Sequence, residues 1–406
     1  MSQSTKDKRK ASRDATRARR ANQTLKVREL KITRLNKTQQ DRLKRMYLEA
    51  KWLRNTIIND GILNYKPSNT VQVKLPDGTI ENRELTVLPA HVKQTIHTNL
   101  KNNIKTLSTL KRKGKRVGQI RYSARINTLE FPTGDIRVKG NKAHIPKLGW
   151  VNVRGTNQLG SEIANVRLVR RSSGYYLLVT SLTKKQSMLG PKREPLGLDF
   201  GIRTHVTISD GREWSLVVKE PESHKRLQRK LNRQTKHSNN YYRTLDKLNR
   251  SYERLSNKKN EAANQFVAEL KKHELIVFQD ENLSGWHKTK GFGRTVQHSA
   301  MGRVKAKLRT LPNVVMLDRF VPTTQHCPEC GSLNKLPLSV RVYSCSCGYH
   351  AGRDVHAAQN MLVLHNSNHS PAERGGALVE DSTSDTNIVS IKSGLLKQET
   401  RRSLVV

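Results

Sequence analysis

The sequence has few acidic side chains, few aromatic side chains and very few cysteines. Aromatic residues make up 5% of the 406 positions, and 33 Asp and Glu residues face 76 Lys and Arg residues, which gives a formal net charge of +43. A chain this positive repels itself unless a polyanion covers it. Nucleic acid is the obvious polyanion, because each neutralised phosphate releases a counterion and adds affinity. The composition therefore predicts a protein that binds nucleic acid.

Long apolar segments are also missing. No apolar run reaches the ~18 residues that a bilayer-spanning helix needs, and no basic helix carries the bulky apolar face of a membrane-surface binder. The first twenty residues, MSQSTKDKRKASRDATRARR, have no apolar centre and so do not resemble a secretory signal. We expect no membrane partner. We expect a cytoplasmic, nucleoid-associated protein in a prokaryotic host, or a nuclear protein in a eukaryotic one.

Cysteine is confined to one short segment, which favours a metal site in a reducing compartment over a disulfide framework. The cysteines form two pairs separated by fourteen residues: Cys327 and Cys330, then Cys345 and Cys347. Two short loops of this kind suit tetrahedral zinc, and the glycine that follows each pair allows a tight backbone. The pattern predicts a structural zinc, because four protein ligands leave no open position for catalysis. His326 and His350 are substitute ligands if one cysteine is not used.

The chain begins with a basic arm followed by a strand and helices. Residues 1–25 are basic and of low complexity, so we expect them to be disordered until they meet RNA or DNA. Apolar alternation predicts a strand over 26–35. Helical apolar periodicity predicts a helix over 37–60, with Thr38 as its cap, and a second helix over 89–113.

A β-rich segment follows over residues 117–184, where charged and apolar positions alternate. Turn signals at Gly140-Asn141 and at Ser173-Gly174 predict two hairpins in it. A second half begins near Pro195. Its predicted elements are, in order, two strands around an Asp210-Gly211 turn, a basic helical hairpin over 222–272, a strand in LIVFQDENL, a basic helix over 297–310, a strand in NVVMLDRF and, after the cysteines, a helix through AAQNMLVLH.

Carboxylates at the ends of apolar elements are the candidate catalytic groups. Asp199 lies inside the first apolar strand of the second half, Glu281 ends LIVFQDE, and Asp354 opens the helix after the cysteines. A carboxylate carried into a nearly buried place is costly unless a cation compensates it. Two Mg²⁺ ions bridged by such groups would activate water and stabilise the leaving oxygen of a phosphodiester. Asp280 and Asp318 are rival carboxylates.

The order of these features resembles one known family. The chain has G-L-D-F-G-I, a basic helical hairpin, an apolar strand that ends in E-N-L, a four-cysteine finger and then R-D-x-x-A-A-x-N. This order is similar to that of TnpB, the RNA-guided nuclease that insertion sequences encode and that is related to the type V CRISPR effectors. The resemblance covers about residues 26–365 and is specific from 195 to 362. The segments KRVGQIRY and HIPKLGW add a looser likeness in the first half.

The resemblance implies a multi-domain α/β fold. A β-barrel wedge domain over residues 26–190, with a helical recognition insertion at about 37–116, would follow the basic arm. An RNase H-like (RuvC) nuclease domain over 191–365 would come next, with the zinc finger inserted at 322–351. Residues 366–406, which are rich in Ser, Thr, Asn and Gly, would form a flexible tail.

The resemblance also implies site residues and an activity. Asp199, Glu281 and Asp354 match the RuvC carboxylates, and the four cysteines match the zinc finger. The implied function is an RNA-guided DNA endonuclease that binds a transposon-derived guide RNA, recognises a short target-adjacent motif and cleaves DNA with two Mg²⁺ or Mn²⁺ ions. Gly352 and His356 depart from the family motif D-R-D-x-N-A-A, but no primary ligand is lost.

The implied partners are a guide RNA and a double-stranded DNA target with its displaced single strand. One protein per RNA is expected, and a dimer is possible. Candidate nucleic-acid contacts are Lys93, Gln94, His97, Lys111, Arg112, Lys113, Lys115, Arg116, Thr133, Arg226, Arg229, Lys230 and Arg233. Three alternatives stay open: a nuclease-inactive RNA-guided DNA-binding repressor, a CRISPR-associated type V effector of the same fold, and a transposase that joins DNA ends.

Overall fold

The computed structural model describes residues 3–75, 78–132, 134–160, 162–184, 192–337 and 339–367. The chain divides into two compact units, one within residues 1–188 (unit 1) and one within residues 189–395 (unit 2). Among the described helices, none combines the length and the apolar character needed to span a membrane.

Unit 1 is built on an antiparallel sheet with a long central strand. Its strands are β1 (Gln23–Arg34), β2 (Thr70–Lys74), β3 (Ile80–Glu84), β4 (Thr128–Phe131), β5 (Arg137–Lys139), β6 (Lys142–Ile145), β7 (Gly149–Arg154), β8 (Glu162–Arg171) and β9 (Gly174–Lys184). The sheet order is β4-β8-β9-β1-β7-β6-β5, and β2 and β3 form a separate hairpin. Within the described residues the sheet is open, with β4 and β5 at its edges, whereas the resemblance implies a β-barrel. Both predicted hairpins are confirmed, the first with its turn at Gly140-Asn141 and the second with its turn at Ser172-Ser173, one residue before the predicted position.

The helices of unit 1 are α1 (Gln3–Ala21), α2 (Lys37–Asn59) and α3 (Ala90–Arg112), with a short 3₁₀ turn at Thr156–Gln158. Both predicted helices are confirmed, but the predicted cap of α2 is wrong. The cap is Asn36, whose extended backbone lets its side chain accept a hydrogen bond from the Gln39 amide, while the Gln39 side chain accepts one from the Asn36 amide. Thr38 already lies inside the first turn, where it cannot play this part.

The core of unit 1 lies between α2 and the sheet. Leu43, Met46 and Leu53 on one face of α2 are buried together with Leu30 of β1 and Leu177 of β9. These positions are spaced at helical intervals on α2 and alternate along the strands, as expected for a helix packed on one face of a sheet.

The arm that we expected to be disordered is helical in the structure. Residues 3–21 contain no Gly or Pro and are rich in Ala, Lys and Arg, which have high helix propensity. At the end of α1, Arg19 and Arg20 donate to Glu162 over 3.2 Å and 2.5 Å. These ion pairs fix the end of the helix to β8, a contact that the composition of the arm did not indicate.

Unit 2 contains a mixed sheet. Its strands are β10 (Leu196–Asp199), β11 (Val206–Ile208), β12 (Glu213–Trp214), β13 (Ile276–Gln279) and β14 (Val314–Leu317), in the order β12-β11-β10-β13-β14. β10 and β11 are antiparallel, as are β11 and β12, whereas β13 is parallel to both β10 and β14. The predicted strands in LIVFQDENL and NVVMLDRF and the Asp210-Gly211 turn are confirmed, whereas the segment before that turn forms two strands, β10 and β11, where one was predicted. A separate ribbon pairs β15 (Val342–Ser344) with β16 (His350–Gly352).

The helices of unit 2 are α4 (Glu222–Arg233), α5 (Asn239–Leu270), α6 (Leu283–Lys288), α7 (Gly293–Gln297), α8 (Met301–Leu308) and α9 (Arg353–Ser367). The predicted helical hairpin over 222–272 is confirmed as α4 and α5, and Ser238 caps α5 by accepting from the Tyr241 amide. α5 and α8 bury Phe266 and Val304 against Leu198 and Phe278 of the sheet. The predicted tail, residues 366–406, lies outside the described residues beyond Ser367.

Candidate active site

Two of the candidate carboxylates follow neighbouring parallel strands. Asp199 is the last residue of β10, and Glu281 lies two residues beyond the end of β13. The two strands are in register, with Leu198 opposite Phe278. Parallel neighbours end at the same edge of a sheet, so the carboxylates of Asp199 and Glu281 lie at one edge. Ligands in open α/β sheets are commonly bound at this edge.

The third carboxylate reaches the same edge on a helix. Asp354 lies in the first turn of α9, and α9 packs on β10, β11 and β13. The packing is very close at Gly197, where a Cβ atom would lie 1.8 Å from the Ala358 carbonyl oxygen. Ala358 is one turn beyond Asp354, and Gly197 is two residues before Asp199. A strand residue without a side chain therefore allows the helix to place Asp354 beside Asp199.

The electrostatics of Asp199 reflect this placement. Burial, followed by repulsion from Glu281 and then from Asp354, raises the pKa of Asp199 to about 7. Arg353 and Lys305 lower that pKa, but less strongly. Asp354 itself is 41% exposed and lies 3.9 Å from Arg341. A buried carboxylate that is repelled by two others favours the binding of a cation.

Glu281 is held by a buried lysine. Lys305 of α8 is 3% exposed, and its ammonium donates to a Glu281 carboxylate oxygen and to the backbone oxygens of Gln279 and Glu281 over 3.0 Å and 3.3 Å. The same ammonium lies 5.2 Å and 5.4 Å from the ring centres of Phe200 and Phe278, within cation–π range. Burial raises the pKa of Glu281 and lowers the pKa of Lys305, while each charge opposes the shift of the other.

The rival carboxylates are engaged elsewhere. Asp280 accepts from Arg309 over 2.6 Å and from Arg319 over 3.0 Å. Asp318 accepts from the Phe320 amide over 2.9 Å, which closes a local turn. Among these five acidic residues, Glu281 and Asp354 are the two whose charges raise the pKa of Asp199, whereas Asp280 and Asp318 are in ordinary structural contacts.

The donor set at this edge suits Mg²⁺ or Mn²⁺. The second carboxylate oxygen of Glu281, Oε1, is buried and has no hydrogen-bond partner within the described residues. A buried polar atom without a partner is costly, and a bound cation would satisfy it. Hard divalent cations prefer oxygen ligands, and Mg²⁺ is usually bound through one or two carboxylates with the remaining positions left to water and phosphate.

The four cysteines converge on one point. Their sulfur atoms all lie within 4.8 Å of one another, with Sγ–Sγ distances of 3.6 Å between Cys327 and Cys347 and 3.5 Å between Cys330 and Cys345. Tetrahedral zinc with bonds of about 2.3 Å places its sulfur ligands about 3.8 Å apart, so the cluster fits the ion. Gly331 and Gly348 have positive φ angles, as the tight loops require. Neither predicted substitute, His326 nor His350, belongs to this cluster of described residues.

The candidate nucleic-acid contacts divide into engaged and exposed residues. Lys93 donates to Asn69 Oδ1 over 2.8 Å, and His97 Nε2 lies 2.9 Å from the Ile62 carbonyl oxygen. These two side chains hold α3 to neighbouring loops. Thr133 lies outside the described residues. The others are exposed, and they are Gln94, Lys111, Arg112, Lys113, Lys115, Arg116, Arg226, Arg229, Lys230 and Arg233.

Sequence reasoning missed Lys305, Asn360 and the part played by Gly197. Lys305 stands in a basic stretch, where a solvated lysine is the ordinary expectation, and its burial follows only from the packing of α8. Asn360 was visible as the last residue of R-D-x-x-A-A-x-N. Its side chain donates to the Thr323 and His326 carbonyl oxygens over 2.8 Å and 2.6 Å. Both carbonyls belong to the chain that leads into Cys327.

Comparison with known families gives two matches. Residues 181–276 match a family model described as "Probable transposase", and residues 301–361 match one described as "Cas12f1-like, TNB domain". The first segment contains Asp199, and the second contains Lys305, the four cysteines and Asp354.

Two curated relatives extend these matches. The protein named "Putative RNA-guided DNA endonuclease InsQ" from Escherichia coli (strain K12) is 25% identical over 301 residues, which cover 66% of this chain and 74% of the relative. A "Putative RNA-guided DNA endonuclease" from Streptomyces pristinaespiralis is 28% identical over 178 residues, which cover 41% of this chain and 44% of the relative. A solved structure described as "Cryo-EM structure of the Cas12f1-sgRNA-target DNA complex" aligns with a TM-score of 0.40 and 12% identity over 67% of this chain and 71% of that chain.

The two matched segments make this chain similar to transposase-like and Cas12f1-like proteins, and they include Asp199, Asp354 and the four-cysteine cluster. Together with the curated relatives, these matches support the expected resemblance to the TnpB family.

Proposed function

We propose that this protein is an RNA-guided DNA endonuclease whose active site consists of Asp199, Glu281 and Asp354. The observation that carries the proposal is the repulsion of Asp199 by Glu281 and Asp354 at the edge where β10 and β13 end, with a Glu281 oxygen that is buried without a partner among the described residues. The names of the two curated relatives support the same activity. Guide RNA and DNA are the polyanions that the net charge of +43 requires.

The domain assignment follows from this proposal. Unit 2 carries the RNase H-like (RuvC) domain of residues 191–365, with the zinc finger at 322–351. Its strand order supports this assignment, since three antiparallel strands are followed by two strands parallel to the first. Unit 1 carries the wedge domain of residues 26–190, and its recognition insertion at 37–116 contains α2, α3 and the β2–β3 hairpin.

The carboxylates have separable tasks in phosphodiester hydrolysis. Two divalent cations, when bound, supply a nucleophilic water and stabilise the charge on the departing oxygen. Asp199 and Asp354 would share the cations, and Glu281 would hold one of them through Oε1. Lys305 holds the other oxygen of Glu281, Oε2, and leaves Oε1 without a hydrogen-bond partner in the described part of the chain. The four-cysteine cluster would hold zinc in a structural role.

The first test is to express the chain with its flanking DNA, purify it and sequence the RNA that accompanies it. We expect a single discrete RNA from the 3′ flank of the gene. With that RNA and Mg²⁺, the protein should cleave matched DNA, and the Asp199→Asn variant should bind the same RNA and DNA without cleaving.

The Asp280→Asn variant is the matched control, because it changes a neighbouring carboxylate that is paired with arginines. It should cleave as the parent does. Heterogeneous RNA would overturn RNA guidance. Guided binding without metal-dependent cleavage by the parent chain would instead identify a DNA-binding repressor.

A further inference from the structure

The cysteine ribbon leads directly into the helix that carries Asp354. β16 ends at Gly352, α9 begins at Arg353, and Asp354 is the next residue. The Arg353 amide donates to the Arg341 carbonyl oxygen over 2.8 Å, just before β15. The Arg353 guanidinium donates to the Pro337 carbonyl oxygen, also over 2.8 Å. The first turn of α9 is therefore bonded to the loop between the two cysteine pairs.

A second set of bonds joins the next turns of α9 to the first cysteine pair. Asn360 is fully buried, and its amide nitrogen donates to the Thr323 and His326 carbonyl oxygens over 2.8 Å and 2.6 Å. Cys327 is the next residue after His326. The same nitrogen lies 3.0 Å from His356 Nε2, which in the neutral ring can accept a hydrogen bond. One side chain thus ties two turns of α9 to the segment that precedes the cluster.

The third connection is aromatic. The His356 ring stacks on Tyr343 with a centroid distance of 3.9 Å and an angle of 17° between the rings. Tyr343 is fully buried against Cys327 and Cys345, and its hydroxyl donates to the Gln325 carbonyl oxygen over 3.2 Å. His356 stands where the family motif has asparagine. In this chain, the contact between α9 and the cysteine cluster is therefore made by the aromatic ring of His356.

We propose that Asn360 and His356 make the four-cysteine cluster a positioning element for Asp354. Zinc fixes the cluster, the cluster fixes α9 through Asn360, His356 and Arg353, and α9 places Asp354 at the edge of the sheet. Loss of zinc would then weaken the binding of Mg²⁺ through displacement of Asp354. This inference rests on the proposed function for the role of Asp354, and the contacts described above support it independently of cleavage.

The first experiment is hydrogen–deuterium exchange by mass spectrometry on the full chain, before and after a chelator removes zinc. We expect faster exchange both in the cluster, residues 323–350, and in the first two turns of α9, residues 353–361. Exchange in the α4–α5 hairpin should not change. Faster exchange confined to 323–350 would overturn the proposal. The experiment requires no nuclease activity, so it decides the coupling even if the protein does not cleave DNA.

The second experiment compares Asn360→Ala with Asn366→Ala, which changes an exposed asparagine near the end of the same helix. Both variants should retain zinc at the level of the parent. Asn360→Ala should need ~10- to 100-fold more Mg²⁺ for half-maximal thermal stabilisation and for cleavage, as is typical when a supporting contact to a metal ligand is lost. Asn366→Ala should match the parent.

An Asn360→Ala variant that keeps its zinc and the Mg²⁺ requirement of the parent would refute a positioning role. If Asn360→Ala fails to fold, the exchange experiment on the parent chain still decides the question. A titration of Mg²⁺ against thermal stability separates this proposal from the proposed function, because it detects metal binding without a DNA substrate.

Discussion

Each unit buries a carboxylate, but the surroundings of the two groups differ. In unit 1, Glu49 is fully buried on α2 and accepts hydrogen bonds from the Thr86, Val87 and Leu88 amides, from the Thr86 hydroxyl and from Arg45. In unit 2, Glu281 is held on one side by Lys305, while its other oxygen is buried without a partner in the described part of the chain.

The comparison separates a structural carboxylate from a candidate catalytic one. Glu49 accepts five hydrogen bonds, four of them from the loop before α3. These bonds replace the hydrogen bonds to water that its carboxylate loses on burial. Asp199 and Glu281 lie close to a third carboxylate, that of Asp354. Their negative charges are not fully compensated, so a bound cation would stabilise them. Burial alone does not distinguish a structural carboxylate from a candidate catalytic one. The number of carboxylate oxygens that have a hydrogen-bond partner does distinguish them.

The largest effect is expected from Asp199→Asn. Removal of one cation ligand should lower cleavage by ~10³-fold or more, because the bound metals supply several kcal/mol of charge stabilisation in the transition state. Guide RNA binding should not change. The measurement is single-turnover cleavage with saturating Mg²⁺, and cleavage within tenfold of the parent would contradict the assignment of Asp199.

The same substitution should change how stability depends on pH in the metal-free protein. The pKa of Asp199 is raised from 3.8 to about 7 in the folded chain, so between these values the folded chain binds a proton that the unfolded chain has lost. Stability should therefore fall as the pH rises through this range. Thermal unfolding of Asp199→Asn should show a weaker fall than the parent, and an unchanged profile would place Asp199 outside the carboxylate cluster.

A second large effect is expected from Lys305→Met. This change leaves Glu281 buried without its cation, and breaking a buried pair in this way typically costs ~3–5 kcal/mol. Chemical denaturation of the metal-free protein should show the loss, and added Mg²⁺ should recover part of it. Arg309→Met is the control, because it removes a half-exposed cation beside Asp280 and should cost ~1 kcal/mol or less.

The close contact between β10 and α9 can be tested with Gly197→Ala. The added Cβ would meet the Ala358 carbonyl oxygen at 1.8 Å, so strand and helix must separate. Overpacking of this kind costs about 1–3 kcal/mol or more. Gly352→Ala is the matched control, since a Cβ there meets nothing within 4 Å. Equal melting temperatures for the two variants would show that α9 does not depend on this contact.

The smallest effect on chemistry is expected from Glu49→Gln. The new amide group would face backbone N–H donors, and a loss of ~1–3 kcal/mol in the free energy of unfolding should follow. The Mg²⁺ requirement of the folded protein should not change. A change in the Mg²⁺ requirement, measured in the same cleavage assay as for Asp199→Asn, would contradict the assignment of Glu49 as a purely structural carboxylate.

Much of unit 2 could be predicted from the sequence because its signals are local. Apolar strands that end in a carboxylate, the Asp210-Gly211 turn and the paired cysteines each lie within a few residues. The burial of Lys305 and the contact of Gly197 with Ala358 could not be predicted in this way. Both features depend on packing between elements that are far apart in the chain. The local pattern of apolar and polar residues does not indicate this packing.

In unit 1 the same limit appears in another form. The helices and hairpins follow from periodicity and turn residues. The basic arm was expected to be disordered because its sequence does not reveal that Arg19 and Arg20 pair with Glu162. Composition describes how a segment behaves alone, and a distant partner can change that behaviour. The capping of α2 by Asn36 instead of Thr38 is a smaller case, since both residues can cap and only the backbone angles decide.

The contact at Gly197 has a consequence for recognising relatives by sequence. Gly197 and Asp199 stand two positions apart, yet one serves the spacing of strand and helix and the other serves the carboxylate site. A homologue that has lost cleavage while keeping its fold should retain the glycine and be free to replace the aspartate. A sequence search that requires both residues would then miss homologues that bind DNA without cleaving it. Scoring the two positions separately would distinguish these homologues from the nucleases, because only the glycine is expected in both groups.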